Sequence, residues 1–206
     1  AKTLGTRHTC IRLTEAAFKQ QLPAALDSID QPTFDAINTY FVSRAVREAG
    51  VTVALAGTGG DELFGGYRSF VDIPRAVAWG RRLAPLPEGL VRAAGSALGR
   101  LKSGRPGHMR PQTRWGKLAD ALATRGDLVK VYQTAYALFT PQFLKDLSPA
   151  VADDASYGLG PAGAAELASL INGNPMLHAI SMLELSSFIG QRLLRDTDAA
   201  SMAVSL

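Results

Sequence analysis

The chain has 206 residues, 47% of them hydrophobic, and a mean hydropathy of +0.05, which suits one large domain or a core with a helical subdomain and excludes disorder as the default. No run of about eighteen apolar residues occurs and no basic-then-apolar leader opens the chain, so neither a membrane span nor export is expected, and a cytoplasmic protein is. The formal net charge of +4 is unevenly placed: from Arg75 to Lys117 there are ten Lys or Arg against one acid, Glu88. Its densest part, "RLKSGRPGHMRPQTRWGK", reads as a solvated surface loop able to meet a polyanion or an acidic surface. Trp115 is the one aromatic there, so the stacking platform of a single-strand nucleic-acid binder is missing.

In chain order, "RHTCIRLT" alternates and is β-branched like a strand, with the single Cys10 expected as a small buried hydrophobe rather than a nucleophile. Thr14 is placed to cap a short helix, "EAAFKQQLPAAL", broken at Pro23. Thr33 is placed to cap a longer one reaching Ala49, with Ile37, Phe41, Ala45 and Ala49 on one stripe and Gly50 as its stop. "VTVALAG" then reads as a strand buried on both faces of a parallel sheet, at whose carboxyl end ligands gather. After Tyr67 the pattern turns helical. "EGLVRAAGSALGRL" repeats apolar residues at Leu90, Ala94, Ala97 and Leu101, and Asp127 is placed to cap "DLVKVYQTAYALF". Thr140-Pro141 and Asn174-Pro175 are helix starts, "SPAVADDASYGLGPAG" is a linker, and Pro175 to Leu194 is a core helix with Ile180, Leu183 and Ser187. There is no internal repeat.

The stretch "VALAGTGGDELFGGY" carries the chemistry. Gly57, Gly59 and Gly60 make a turn after a strand whose backbone N–H groups suit a phosphate or pyrophosphate. Asp61 and Glu62 would repel that anion unless Mg²⁺ bridges oxygen to oxygen, which makes them candidate metal ligands. The competing reading is structural: Asp61 caps the helix "ELFGGY" and the glycines only turn the chain. His8, His108 and His178 have no ligand spacing.

"ALAGTGGDELFGGY" resembles the second signature of the asparagine synthetase family, Ser-Gly-x-Gly-x-Asp-Glu-(hydrophobic)-Phe-Gly-Gly-Tyr. "LGTRHTCIRLT", "IDQPTFDAINTYFVSRAVREAG" and "LLRDTDAASMAVSL" resemble flanking stretches in the same order, while residues 72–173 match only in helical character. The resemblance implies an α/β, predominantly helical fold: part of a Rossmann-like adenine-nucleotide α-hydrolase sheet in residues 1–71, then a helical part in residues 72–206. It also implies ATP and Mg²⁺, adenylation of a small-molecule carboxylate with pyrophosphate release, and attack by ammonia delivered from glutamine by a glutaminase domain absent from these residues. Ala56 and Gly57 match the Ser-Gly pair that contacts ATP, Gly59 and Gly60 continue the turn, Asp61 matches the acid associated with Mg²⁺ and pyrophosphate, and Glu62 is the adjacent family acid. Arg195, Asp196 and Asp198 match a polar family segment, with a helix cap as the alternative, and Asn38, Thr39 and Tyr40 fall where the family approaches substrate, with helix packing as the alternative for Tyr40.

Three departures stand out. Thr58 occupies the position of a glutamate proposed as the family's base, Ala56 replaces a serine, and the first phosphate loop, Ser-Gly-Gly-x-Asp-Ser, is absent. Starting at Ala1 and stopping on "ASMAVSL", the chain reads as a fragment, expected to be inactive alone. Two further readings stay open: a β-lactam-forming or peptide-cyclising relative, and a non-catalytic binding or regulatory module. A homodimer is compatible with all of them.

Overall fold

The computed structural model describes residues 1–33, 35–103, 113–141, 144 and 158–206. It divides the chain into two compact units, Ala1–Thr58 with Leu185–Leu206, and Gly59–Glu184. Both are built from helices, and among the described residues there is no strand. The predominantly helical character is as expected, but the expected sheet is not seen among the described residues. Residues 6–14 and 51–58 are irregular and exposed, with Val53 80% and Leu55 100% accessible. A strand requires a neighbour to complete its ladder, and no described segment supplies one. Cys10, expected to be buried, is exposed for the same reason.

In the first unit, α1 (Glu15–Asp27) begins where Thr14 Oγ1 accepts the Ala17 N–H at 3.2 Å. It runs through Pro23 instead of breaking there. Pro23 is exposed, so the carbonyl that loses its helical donor faces water, where the loss is cheapest. α2 (Ala36–Glu48) starts from Asp35, and Thr33 Oγ1 accepts the Ala36 N–H at 2.9 Å. Its Tyr40 and Phe41 close a small core with Ala25 and with Ala200 of the last helix, α10 (Leu194–Met202).

The second unit opens with the single-turn helix α3 (Gly60–Phe64). α4 (Ser69–Leu83), α7 (Leu128–Tyr136), α8 (Pro161–Ile171) and α9 (Met176–Leu183) then enclose the main core. Phe70, Ile73 and Val77 pack there against Val129, Val131, Tyr132, Leu167, Ile180 and Leu183. Asp127 Oδ1 caps α7 by accepting the Lys130 N–H at 3.0 Å.

α5 (Glu88–Ser103) and α6 (Leu118–Ala123) pack together beside α4. The buried stripe of α5 is Val91, Gly95 and Gly99, one position away from the Leu90–Ala94–Ala97–Leu101 row, which stays exposed. Gly95 sets this choice: a Cβ there would lie 2.8 Å from Ala119 Cα, so the backbones meet where leucines cannot.

The core helix expected from Pro175 to Leu194 begins one residue late, at Met176, and widens into a π-helical stretch, Glu184–Leu193. Of the helix expected to start at Thr140-Pro141, the described residues are Thr140, Pro141 and Leu144, with the Leu144 N–H donating to Thr140 O at 3.0 Å. Most of the linker and the core of the basic loop lie outside the described residues, and Pro161 starts α8 within the linker's end.

A Cβ at Gly80 would come 2.5 Å from the Gly126 backbone nitrogen, whereas one at Gly89 meets nothing within 4 Å. Gly80→Ala is therefore expected to destabilise by about 1–3 kcal/mol. Gly89→Ala should stabilise by roughly 0.5–1 kcal/mol. Urea midpoints of the two variants check the difference in sign.

Candidate functional site: a glycine turn and a buried carboxylate pair

The turn sequence sorts its residues by backbone conformation and by side. Ala56, Gly57 and Thr58 are exposed at the end of the irregular segment, and Gly59 and Gly60 are half-buried. Gly59 has φ +98° and forms the N-cap of α3. An L side chain is strained in that conformation, so glycine there is a backbone requirement. A Cβ on Gly57, Gly59 or Gly60 would meet nothing within 4 Å, so the backbone of this turn is open to approach. The first N–H groups of α3 have no intrahelical acceptor and are free to donate outward.

Asp61 and Glu62 are adjacent but point to different surroundings, because successive helical residues are about 100° apart. Asp61 is exposed, and its carboxylate folds over Gly66 so closely that a Cβ on Gly66 would overlap it. Glu62 is only 1% accessible. Its Oε1 accepts the Tyr67 hydroxyl at 2.7 Å, and its backbone carbonyl accepts Ser181 Oγ at 2.7 Å. Burial first, and then the hydrogen bond to Glu62, push the Tyr67 phenol well above its ordinary value, so Tyr67 donates throughout the accessible pH range.

A second carboxylate, which the sequence reading did not single out, lies in the same unit. Glu184 is fully buried at the end of α9. Ser69 Oγ donates to it at 2.8 Å, the Tyr136 hydroxyl lies 2.6 and 2.8 Å from its two oxygens, and Tyr132 reaches it at 3.3 Å while also contacting Leu183 O at 3.2 Å. Burial pushes its carboxyl up; the three hydroxyl donors pull it back, and the charge of Glu62 raises it further. One signal in the sequence could have found it: Glu184 continues the apolar Ile180–Leu183 row, where an acid has to find partners inside the fold.

The remaining candidates separate by role. In the first unit Asp196 is buried and its Oδ2 accepts the Asp35 N–H at 3.0 Å, so it holds the start of α2 rather than capping its own helix. Arg195 donates to Pro32 O at 3.4 Å, and Asp198 is exposed. Asn38 Nδ2 donates to Asp35 Oδ2 at 3.3 Å, and Tyr40 packs in the core. Among the described residues, no group of three or more His, Cys, Asp or Glu is arranged to hold a metal ion. No described helix is long and apolar enough to cross a membrane. The turn therefore offers backbone donors and one outward carboxylate, Asp61. This fits Mg²⁺ carried on phosphate oxygens with one or two protein carboxylates, the usual mode for that ion, and does not fit a metal caged by protein alone.

Residues 1–206 match the family described as "Asparagine synthase". Proteins of Mycobacterium bovis and of two Mycobacterium tuberculosis strains, each described as "Putative asparagine synthetase (glutamine-hydrolyzing)", are 34% identical to this chain over 103 residues. The aligned part is 44% of this chain and 16% of each relative, so the chain spans a small share of the curated relatives it matches. No solved structure matches the chain.

The carboxyl of Glu184 is held above its unfolded value, so folding favours its protonated form. Its contribution to stability is complete below the ordinary glutamate value and is lost as pH rises through the raised one. Urea midpoints followed from about pH 4 to about pH 8 should therefore fall less in Glu184→Gln than in the parent chain. Parallel profiles would show that Glu184 contributes no such linkage.

Proposed function

The chain belongs to the asparagine synthase family, and we propose from that membership that it forms the ATP-using part of a glutamine-dependent, amide-forming ligase. The observation that carries the reading is the open backbone at Gly59 and Gly60, with Gly59 at φ +98° and the exposed carboxylate of Asp61 directly after it. In this reading the backbone N–H groups of Ala56, Gly57, Gly59 and Gly60 receive the pyrophosphate end of ATP. Mg²⁺, when bound, neutralises phosphate charge as the pyrophosphate leaves. Of the two expected metal ligands, Asp61 is the one offered to it. Glu62, bonded to Tyr67 and anchored through its carbonyl to Ser181, holds the turn in position.

Membership of the family implies the reaction. A substrate carboxylate oxygen attacks the α-phosphorus of ATP, the bond to the β,γ-pyrophosphate breaks, and an acyl-adenylate forms. Ammonia attacks the acyl carbon, AMP departs with the bonding pair, and one proton is lost from nitrogen. Thr58 stands where the family's proposed base is a glutamate, and a threonine hydroxyl does not accept that proton near neutral pH. This favours a second reading in which a tethered amine replaces ammonia, as in a β-lactam-forming or peptide-cyclising ligase. The irregular, exposed 51–57 segment acts in either reading as a strand of a nucleotide-binding sheet completed by further chain, which accounts for apolar Val53 and Leu55 in water.

Supplying the intact protein with ATP, Mg²⁺, glutamine and aspartate tests the proposal. AMP, pyrophosphate and asparagine in equal amounts support asparagine synthesis, while AMP release only with other carboxylates supports the cyclising alternative. Asp61→Asn should lower pyrophosphate release by roughly a hundredfold or more with far-UV circular dichroism unchanged. Unchanged release would remove Asp61 from the site.

A further inference from the structure

The unit Gly59–Glu184 contains a cavity of about 990 Å³ between α4, α5, α6 and α7, at the upper end of the usual size for small-molecule sites. Its walls are mainly apolar. Trp79, Leu90, Leu98 and Trp115 line it, and three of them remain substantially accessible: Trp79 at 54%, Leu90 at 58% and Leu98 at 44%. Large side chains left wet around a concavity keep free energy that a covering ligand recovers.

The charge on the lining has one sign. Arg68, Arg75, Arg114 and Lys117 line the cavity against a single acid, Asp72. Asp72 is shared by Arg68 at 3.5 Å and Arg114 at 2.7 Å. Arg75 and Lys117 have no carboxylate partner among the described residues. Lys117 Nζ donates to the carbonyl of Ala135 at 2.8 Å, and burial lowers its pKa, as expected of an ammonium partly withdrawn from water without an anion. The excess of basic residues seen between Arg75 and Lys117 is thus gathered in part around one apolar hollow.

We propose that this cavity is a binding site for an amphipathic monoanion, an alkyl or aryl carboxylate. The apolar body lies against the two tryptophans and the leucines, and the anionic head is met by Lys117 and Arg75. A purely polar anion would leave the walls wet, and a neutral hydrophobe would leave both cations unpaired. A long polyanion does not fit an apolar concavity. The inference rests on the helical unit alone and stands whether or not the synthetase reading holds.

The chain has two tryptophans, and both line the cavity, so intrinsic fluorescence reports on it directly. Titration with dodecanoate below its micellar range should give a saturable shift in tryptophan emission, confirmed by calorimetry at equal stoichiometry. Dodecanol should bind roughly tenfold or more weakly, and Lys117→Gln and Arg75→Gln should each weaken dodecanoate by a similar factor while leaving dodecanol unchanged. Arg75 is exposed, so its variant keeps the test open if the Lys117 change disturbs folding. The proposal is overturned by the absence of a saturable shift, by equal binding of dodecanol, or by indifference to both substitutions. An emission shift that follows protein concentration without ligand would also overturn it, since a second copy would then be the occupant.

Discussion

Burying a carboxylate is among the most expensive acts in folding, and in the Gly59–Glu184 unit Glu62 and Glu184 are both buried within reach of one electrostatic field. Glu184 is compensated by hydroxyls from Ser69 on α4 and from Tyr132 and Tyr136 on α7, while it closes α9 itself. Three helices distant in sequence are thereby fixed in register around one charge. Apolar contacts among Ile73, Tyr132 and Leu183 would tolerate some sliding, but hydrogen bonds of 2.6 to 2.8 Å to one carboxylate do not. Glu62 extends the arrangement to the turn, because the Ser181 hydroxyl that takes its carbonyl sits on α9, the helix that ends at Glu184.

This network explains why two neighbouring acids of one motif have different duties. A residue facing the interior can serve the site only by holding something still, and Glu62 holds α3 through Tyr67 and Ser181. A residue facing water can meet a ligand, and Asp61 is free to do so. The family resemblance groups the two acids as one chemical feature; helix geometry separates them.

Much of the helical architecture was legible because helices are written locally. Thr14, Thr33 and Asp127 each accept the backbone N–H that their spacing implied, and Ile180 and Leu183 are core residues as their periodicity required. The strands were not borne out among the described residues, since β structure depends on a partner and local apolar runs cannot supply one. The stripe of α5 was misread by one position because a glycine, invisible to hydrophobic periodicity, decides where two backbones touch. Glu184 escaped notice because its partners lie 48, 52 and 115 residues away, and only the fold assembles them.

The paired glycines before Tyr67 look interchangeable and are constrained by different physics. Gly65 is at φ +71°, a question of handedness that a D-residue at that position would satisfy. Gly66 is a question of occupancy: its missing Cβ is the space taken by the Asp61 carboxylate. A side chain at position 66 therefore meets the exposed Asp61 carboxylate, which has to turn aside to admit it. Filling position 66 thus acts on the site at one remove, by displacing the exposed charge that follows the turn rather than by straining the backbone.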